Sequence, residues 1–289
     1  MFPRNGPALL IRRKSCSDYA LLSFNEVGGQ RYSPAPLEVR PSEAGVTPDV
    51  CATRYRMRST LSVRLSYERQ AQREKAVKFG IFIYDDVEPI DLATYGVLSM
   101  ARRIVPIIEI CTIAPENGLV RLSNGLKVLA DFGVGDAPDC DVLIVTGGPG
   151  WEAQAKNPAT LEFLRSRKPH TRFASVCTGA MILAAGGMLD GKKATTKREV
   201  VPPEPSPYEL MRQLYPAIDV TAASLVDDDG VTTGGGVSLC IDATLHIIER
   251  EFGVRVAQET ARILEYSRAW KANRREFPSI VNQQPSVVA

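Results

Sequence analysis

From Val77 onwards, short and continuously apolar runs alternate with segments in which apolar residues recur at helical spacing. Apolar runs of this length that end at turn-forming residues are typical of buried strands. The pattern predicts strands at residues 77–84, 106–113, 141–146, 172–176, 193–196, 218–221 and 231–233. Two further short apolar runs, 119–122 and 126–130, flank Asn124-Gly125, a dipeptide that favours a β-hairpin.

The segments with helical spacing lie between these strands. They are residues 91–102, 158–167, 178–187, 208–215, 237–252 and 254–266. Alternating strands and helices predict an α/β domain, a three-layer sandwich with a mainly parallel central sheet and helices on both faces. We expect this domain to span residues 76–268, and residues 269–289 to form a frayed C-terminal tail.

Residues 1–75 show no sustained helical or strand period, so we expect a largely disordered extension with a short helix near residues 66–75. The extension holds 13 Lys+Arg against 7 Asp+Glu, and subtraction from totals of 35 and 33 leaves 22 against 26. The extension is therefore basic and the remainder weakly acidic. Acidic residues interrupt the basic ones and no aromatic motif accompanies them, so the sequence predicts no nucleic-acid partner.

The composition, 44% hydrophobic and 24% charged, is that of an ordinary soluble protein. No apolar run approaches the ~18 residues of a membrane span or forms a signal-peptide core, so we expect a cytoplasmic protein without membrane contact. Six scattered cysteines without a CxxC pair, and two histidines, argue against a zinc site and a disulfide framework. Cys111 and Cys240 fall inside apolar elements and are predicted core residues, and Cys140 has no catalytic context. No cofactor is predicted.

One cysteine stands at a bend between a predicted strand and a helix of small residues, in Ser175-Val176-Cys177-Thr178-Gly179-Ala180. Such a turn holds the sulfur above the carboxyl ends of the strands, where amides at the helix start point towards it. We expect these amides to lower the pKa of the Cys177 thiol and to make it a nucleophile. The alternative is that Cys177 is a small buried core residue.

Gly147-Gly148-Pro149-Gly150 follows another predicted strand and should lie at the same edge of the sheet, where open α/β sheets bind ligands. We expect the amides of Gly148 and Thr178 to form an oxyanion hole, with Gly147 and Gly179 as further substrate-contacting positions. Neither GxGxxG nor GxxxxGKS/T occurs, which argues against a nucleotide phosphate loop. The third glycine turn, residues 234–236, is explained equally well by tight packing.

A cysteine nucleophile commonly takes a histidine partner. His170 precedes the strand that leads to Cys177 and should lie at the far end of the sheet, and His246 lies far along a predicted helix. Asp91, just after the first strand, is the candidate acid/base partner instead, with Glu88 in reserve, because a carboxyl in a small dry pocket can hold a proton. The competing role of Asp91 is that of a helix N-cap.

These motifs together resemble the DJ-1/PfpI superfamily, with its flavodoxin-like, class I glutamine amidotransferase-type fold, and most closely its isonitrile hydratase-like branch. The matching segments are residues 79–82, 90–92, 145–150, 175–180, 189–196 and 233–236. The resemblance implies that Cys177, Asp91 and Thr178 occupy the catalytic positions and that the chain forms a homodimer. Two positions depart from the family: Lys197-Arg198 replace the usual His-Trp after Ala-Thr-Thr, and the family's Thr and Gly-Pro after Asp91-Leu92 are absent.

The same resemblance implies an activity on a small-molecule substrate, the hydration of an isonitrile to an N-substituted formamide by a carbon–nitrogen hydro-lyase. In that reaction Asp91 would move the proton, Cys177 would attack the carbon or hold water, and Thr178 would orient the polar end. Two alternatives are a glyoxalase-like or amide-cleaving thiol enzyme of the same superfamily, and a non-catalytic ligand or redox sensor.

Overall fold

A computed structural model describes residues 76–167 and 170–282 of the chain. The predicted N-terminal extension, residues 1–75, and the last residues of the predicted tail, 283–289, lie outside the described residues. In the part that is described, no helix is long and apolar enough to cross a membrane.

The described residues form twelve strands and eight α-helices. The strands are β1 (Val77–Phe82), β2 (Ile108–Ala114), β3 (Leu119–Arg121), β4 (Lys127–Leu129), β5 (Phe132–Gly133), β6 (Val142–Val145), β7 (Arg172–Ser175), β8 (Lys193–Ala194), β9 (Asp219–Val220), β10 (Leu225–Asp228), β11 (Val231–Gly234) and β12 (Ser279–Asn282). The helices are α1 (Ala93–Arg102), α2 (Trp151–Ala155), α3 (Pro158–Ser166), α4 (Gly179–Ala185), α5 (Pro207–Leu214), α6 (Cys240–Phe252), α7 (Val254–Ile263) and α8 (Ser267–Glu276). Short 3-10 turns lie at Pro89–Leu92, Ser123–Gly125 and Val237–Leu239.

Eight strands form one sheet in the order β12-β10-β11-β7-β6-β1-β2-β5. Every neighbouring pair in it is parallel except β10 and β11. The helices pack in two groups, α1 with α6 to α8 and α2 with α3 to α5, and these groups cover the two faces. The predicted sandwich with a mainly parallel sheet is therefore confirmed, and the fully buried run Val142–Val145 is what a strand covered on both faces requires.

The strand order places the loops after β1, β6 and β7 next to one another. β1 lies between β2 and β6, so successive strands are added first on one side of β1 and then on the other. The crevice outside the carboxyl ends of the strands at such a reversal is where open α/β sheets bind ligands. The topology of the sheet therefore places the loops that carry the candidate catalytic residues at the same edge of the sheet.

Some elements differ from the prediction. The hairpin around Asn124-Gly125 is confirmed, because β3 and β4 pair antiparallel. Three short elements that we did not predict are β5, β10 and α2. β5 has two residues, α2 has five, and β10 ends in two aspartates, so none of them carries a periodic apolar signal long enough to detect.

The tail prediction is corrected for residues 269–282. Residues 267–276 form α8, whose Trp270 is buried in the core, and β12 pairs in parallel with β10. Asn273 donates to Asp242 Oδ2 at 3.0 Å, and Ser224 donates its amide to the Pro278 carbonyl at 2.9 Å. α8 buries one residue on an otherwise polar surface, so its sequence gave no amphipathic pattern.

Trp270→Ala is expected to lower the free energy of unfolding by about 3 kcal/mol, because it removes a large buried side chain. Urea denaturation measures the change. The matched control is Lys271→Ala, an exposed residue of the same helix, which should shift stability by less than about 0.5 kcal/mol. Equal effects of the two substitutions would show that α8 does not pack on the core.

Candidate active site

Cys177 lies on the turn between β7 and α4, as predicted. Its φ of +52° is in the left-handed region, which a non-glycine residue adopts only when its surroundings hold it there. The Cys177 amide donates to the Gly235 carbonyl at 2.9 Å, and Thr196 Oγ1 donates to the Cys177 carbonyl at 2.8 Å. The backbone that carries the sulfur is therefore fixed from two neighbouring loops.

The amides that face the sulfur differ from those expected. The backbone amides of Val237 and Thr178 act on the Cys177 thiol and lower its pKa. The Gly148 amide instead donates to Thr178 Oγ1 at 2.8 Å, so it is already engaged within the protein. The Gly179 amide is engaged as well, with the Val176 carbonyl at 2.9 Å. The oxyanion hole therefore stays a prediction, and Val237, next to the third glycine turn, is the neighbour of the sulfur that the sequence did not indicate.

Gly147 connects the cysteine turn to Asp91. A Cβ at Gly147 would lie 2.4 Å from the Thr178 amide nitrogen and 2.8 Å from Cys177 Cβ, so only glycine fits. Its own amide donates to Asp91 Oδ2 at 2.6 Å. The loops after β1, β6 and β7 thus meet at backbone contact distance around this residue.

Asp91 is fully buried in the 3-10 turn that precedes α1. Its Oδ2 accepts from Gly147, and its Oδ1 has no hydrogen-bond partner. The alternative role of helix N-cap is wrong, since neither the 3-10 turn nor α1 receives a side-chain capping bond. A carboxyl oxygen buried without a partner is costly to keep charged, which favours the protonated form.

The electrostatics of the pair follow from burial. Burial raises the pKa of Asp91 to about 7, and the Glu88 carboxylate adds to the rise, whereas the Gly147 hydrogen bond and the Lys197 ammonium oppose it. Burial, followed by the charge of Asp91, raises the pKa of Cys177 to about 12, although the amides of Val237 and Thr178 oppose this. The expected lowering of the thiol pKa is therefore corrected, because desolvation outweighs the helix-start amides.

Tyr84 belongs to the site and was missed by the sequence analysis, which treated it as the end of a strand. Its hydroxyl donates to the Thr146 carbonyl at 3.0 Å. Burial, with the charges of Asp91 and Cys177, raises the pKa of Tyr84 well above its usual range. The available signal was a polar group just after β1, at the same edge as Cys177.

A cavity of about 220 Å³ opens over the sulfur. It is lined by Glu88, Gly148, Pro149, Trp151, Cys177, Thr178, Lys197, Glu204 and Val237. Asp91 is not among the lining residues. The Lys197 Nζ atom lies 3.5 Å from Glu204 Oε1. Lys197 also lines a second cavity of about 470 Å³. The first cavity is small by the standard of ligand sites, about 300–1,000 Å³, and suits a compact reacting group.

Neither histidine lines this cavity. His246 Nε2 lies 2.7 Å from Asp227 Oδ2, and Arg250 binds the other oxygen of Asp227 at 2.7 Å. The buried Cys240 is a core residue, as predicted, although its sulfur contacts the Ile90 carbonyl at 3.5 Å. Among residues 76–167 and 170–282, no group of three histidine, cysteine or carboxylate side chains could hold a metal ion.

The known proteins similar to this chain include an enzyme and a transcriptional regulator. The chain is 30% identical over 198 residues to isonitrile hydratase of Pseudomonas putida, across 67% of this chain and 80% of the hydratase. It is 26% identical over 157 residues to the HTH-type transcriptional regulator GbdR of Pseudomonas aeruginosa, across 54% of this chain and 41% of the regulator. The chain thus spans most of the hydratase and less than half of the regulator.

A solved structure gives the same fold. The crystal structure of a ThiJ/PfpI family protein from Pseudomonas syringae has a TM-score of 0.58 and 26% identity, and the match covers 66% of this chain and 75% of that chain. The sequence profile of the DJ-1/PfpI family matches residues 77–250, which is more than half of the chain. The chain therefore belongs to the DJ-1/PfpI family.

Proposed function

We propose that the protein is a cysteine-dependent hydro-lyase that adds water to an isonitrile, R–N≡C, and releases the N-substituted formamide, R–NH–CHO. The observation that carries the proposal is the pairing of Cys177, which lines the small cavity, with a buried Asp91 carboxyl whose pKa is raised to about 7. The similarity to an isonitrile hydratase over 80% of that enzyme supports the same reaction. The proposal includes a homodimer, as the family resemblance implies, and a cytoplasmic location, as the sequence pattern led us to expect.

Hydration of an isonitrile needs an acid that is protonated near neutral pH, because the terminal carbon must gain a proton. A carboxyl with an ordinary pKa of about 4 would be almost entirely ionised at pH 7. Asp91, with a pKa of about 7, is protonated in roughly half of the molecules there. Once it has given up its proton, the same carboxylate serves as the base.

In the first half-reaction Asp91 delivers a proton to the terminal carbon, the Cys177 sulfur attacks that carbon, and the thiol proton passes to Asp91. One C–H and one C–S bond form and the S–H bond breaks, which gives the thioimidate R–N=CH–S–Cys177. Because the thiol is protonated at neutral pH, sulfur attacks as it loses its proton. The amides of Val237 and Thr178 stabilise the charge that develops on sulfur.

In the second half-reaction water adds across the C=N bond of the thioimidate. Asp91 protonates the nitrogen, and its carboxylate takes a proton from the water whose oxygen bonds the carbon. Collapse of this adduct breaks the C–S bond, returns the proton to sulfur and releases the formamide. The sum is R–N≡C plus water to R–NH–CHO, so no electron donor or acceptor takes part.

The geometry weighs against the two alternatives. Amide cleavage depends on an oxyanion hole, and the Gly148 amide that would contribute to it is bonded to Thr178. A redox sensor needs a reactive thiolate, whereas burial and Asp91 keep the Cys177 thiol protonated. The similarity to a transcriptional regulator leaves ligand binding without turnover as the outcome that a direct assay must distinguish from catalysis.

The wild-type protein is expected to convert members of a panel of alkyl and aryl isonitriles to formamides, measured by proton NMR. Cys177→Ala should lose at least about 10²-fold in kcat/KM, because the covalent step is removed. Cys140→Ala, a matched thiol deletion outside the cavity lining, should keep wild-type activity. A Cys177→Ala variant as active as wild type, or no formamide from wild type with any isonitrile, contradicts the proposal.

The pH profile of kcat/KM should fall with a one-proton slope and a midpoint near pH 7, because the acid form of Asp91 is lost as pH rises. Lys197→Met should move this midpoint to higher pH, since the ammonium of Lys197 lowers the pKa of Asp91. Lys271→Met, which changes an exposed lysine of α8, should leave it in place. A flat profile from about pH 5 to 9 would exclude Asp91 as the acid.

Asp91 should also destabilise the fold at alkaline pH. Its pKa is about 7 in the folded protein and near its ordinary, lower value when unfolded, so the folded state binds the proton more tightly and stability falls as pH rises between the two. Asp91→Asn cannot ionise and keeps an acceptor for Gly147. It should raise the free energy of unfolding by about 2–4 kcal/mol at pH 8 and by about zero at pH 4, measured in urea. An equal effect at both pH values would show that the carboxyl is not desolvated.

A further inference from the structure

Two thiols meet at a second place on the sheet: one lies on β2, three strands from β7, and the other precedes β6, the neighbour of β7. Cys111 lies in the middle of β2 and Cys140 lies in the coil before β6, and each thiol shifts the pKa of the other. Gly80 of β1 is in register with Cys111, and a Cβ at Gly80 would lie 2.8 Å from the Cys140 sulfur. The Cys140 sulfur thus fills the space of a missing side chain, beside Cys111 on the same face of the sheet.

We propose that Cys111 and Cys140 form a reversible disulfide when the protein meets a peroxide or another two-electron thiol oxidant. Two S–H bonds break, one S–S bond forms, and two electrons pass to the oxidant. With hydrogen peroxide the two thiol protons leave in the two water molecules that are produced. The site is separate from Cys177 and does not rest on the proposed hydratase activity.

The surroundings of Cys140 favour the thiolate that starts such an exchange. The neighbouring Cys111 side chain lowers the pKa of the Cys140 thiol, and the charges of Arg167 and Lys78 lower it further, while burial and Asp141 oppose them. The Cys140 thiol donates to the Pro138 carbonyl at 3.5 Å. Of the cysteines in the described part of the chain, Cys111, Cys177 and Cys240 all have raised pKa values. Cys140 is therefore the thiol of this set that ionises most readily.

Position and access fit the same role. Arg167 donates to the carbonyls of Ala137 and Pro138 at 3.0 and 3.2 Å, which holds the coil that leads to Cys140 in place. Cys140 and Cys111 are 6% and 8% exposed, whereas Cys240 is 0% exposed. A small oxidant can therefore reach the pair without unfolding of the sheet.

The test is peptide mapping of the full-length protein. The folded protein is treated with the thiol oxidant diamide, remaining thiols are blocked with N-ethylmaleimide, and the protein is digested with trypsin without reduction. Trypsin releases Cys111 in residues 104–121 and Cys140 in residues 128–156, and neither peptide contains another cysteine. We expect a cross-linked pair of these peptides, two hydrogens lighter than their sum, as the main disulfide, and its loss on treatment with dithiothreitol.

Two variants sharpen the result. Cys140→Ala should abolish the cross-link, and Cys240→Ser, which changes a buried thiol of α6, should retain it. Recovery of both peptides with N-ethylmaleimide on their cysteines after diamide treatment overturns the proposal. So does cross-linking of either peptide mainly to another cysteine, or a Cys111–Cys140 cross-link that forms only in guanidinium chloride.

Discussion

The hydrogen bond from the Gly147 amide to the Asp91 carboxylate, at 2.6 Å, joins the loops after β1 and β6 where the strand order of the sheet reverses. It holds a carboxyl inside the protein without an ion pair and leaves Oδ1 unpartnered. Because Gly147 has no side chain, the turn that carries Cys177 can approach the same backbone. The position of the thiol, the burial of the carboxyl and the small size of the cavity all depend on this contact.

The two titrating groups are linked, since the charge of Asp91 raises the pKa of Cys177. The pair therefore stores a proton at neutral pH and does not keep a standing thiolate. Such a pair suits a substrate that must first be protonated on carbon, and it suits an oxidant sensor poorly. The thiol with the opposite character, Cys140, lies beside Cys111 on another part of the sheet, so we propose different cysteines of one domain for oxidation and for proton transfer.

The sequence predicted most of the central strands and the turn between β7 and α4 that carries Cys177, because continuous apolar runs and parallel neighbours determine both. It did not predict the role of Val237 or the direction of the thiol pKa, since both depend on contacts between segments far apart in the chain. The contact of Cys111 with Cys140 was hidden for the same reason. A helix with a single buried residue, such as α8 with Trp270, has too few apolar positions to be predicted from hydrophobic periodicity.

The most direct measurement is a carbon-13 NMR titration of the Asp91 side-chain carboxyl, assigned by its absence in Asp91→Asn. The account predicts a midpoint near pH 7 in the wild-type protein, because burial and the Glu88 carboxylate favour the protonated form. A midpoint at the ordinary aspartate value of about 4 would contradict it, since the carboxyl would then hold no proton for the reaction at neutral pH.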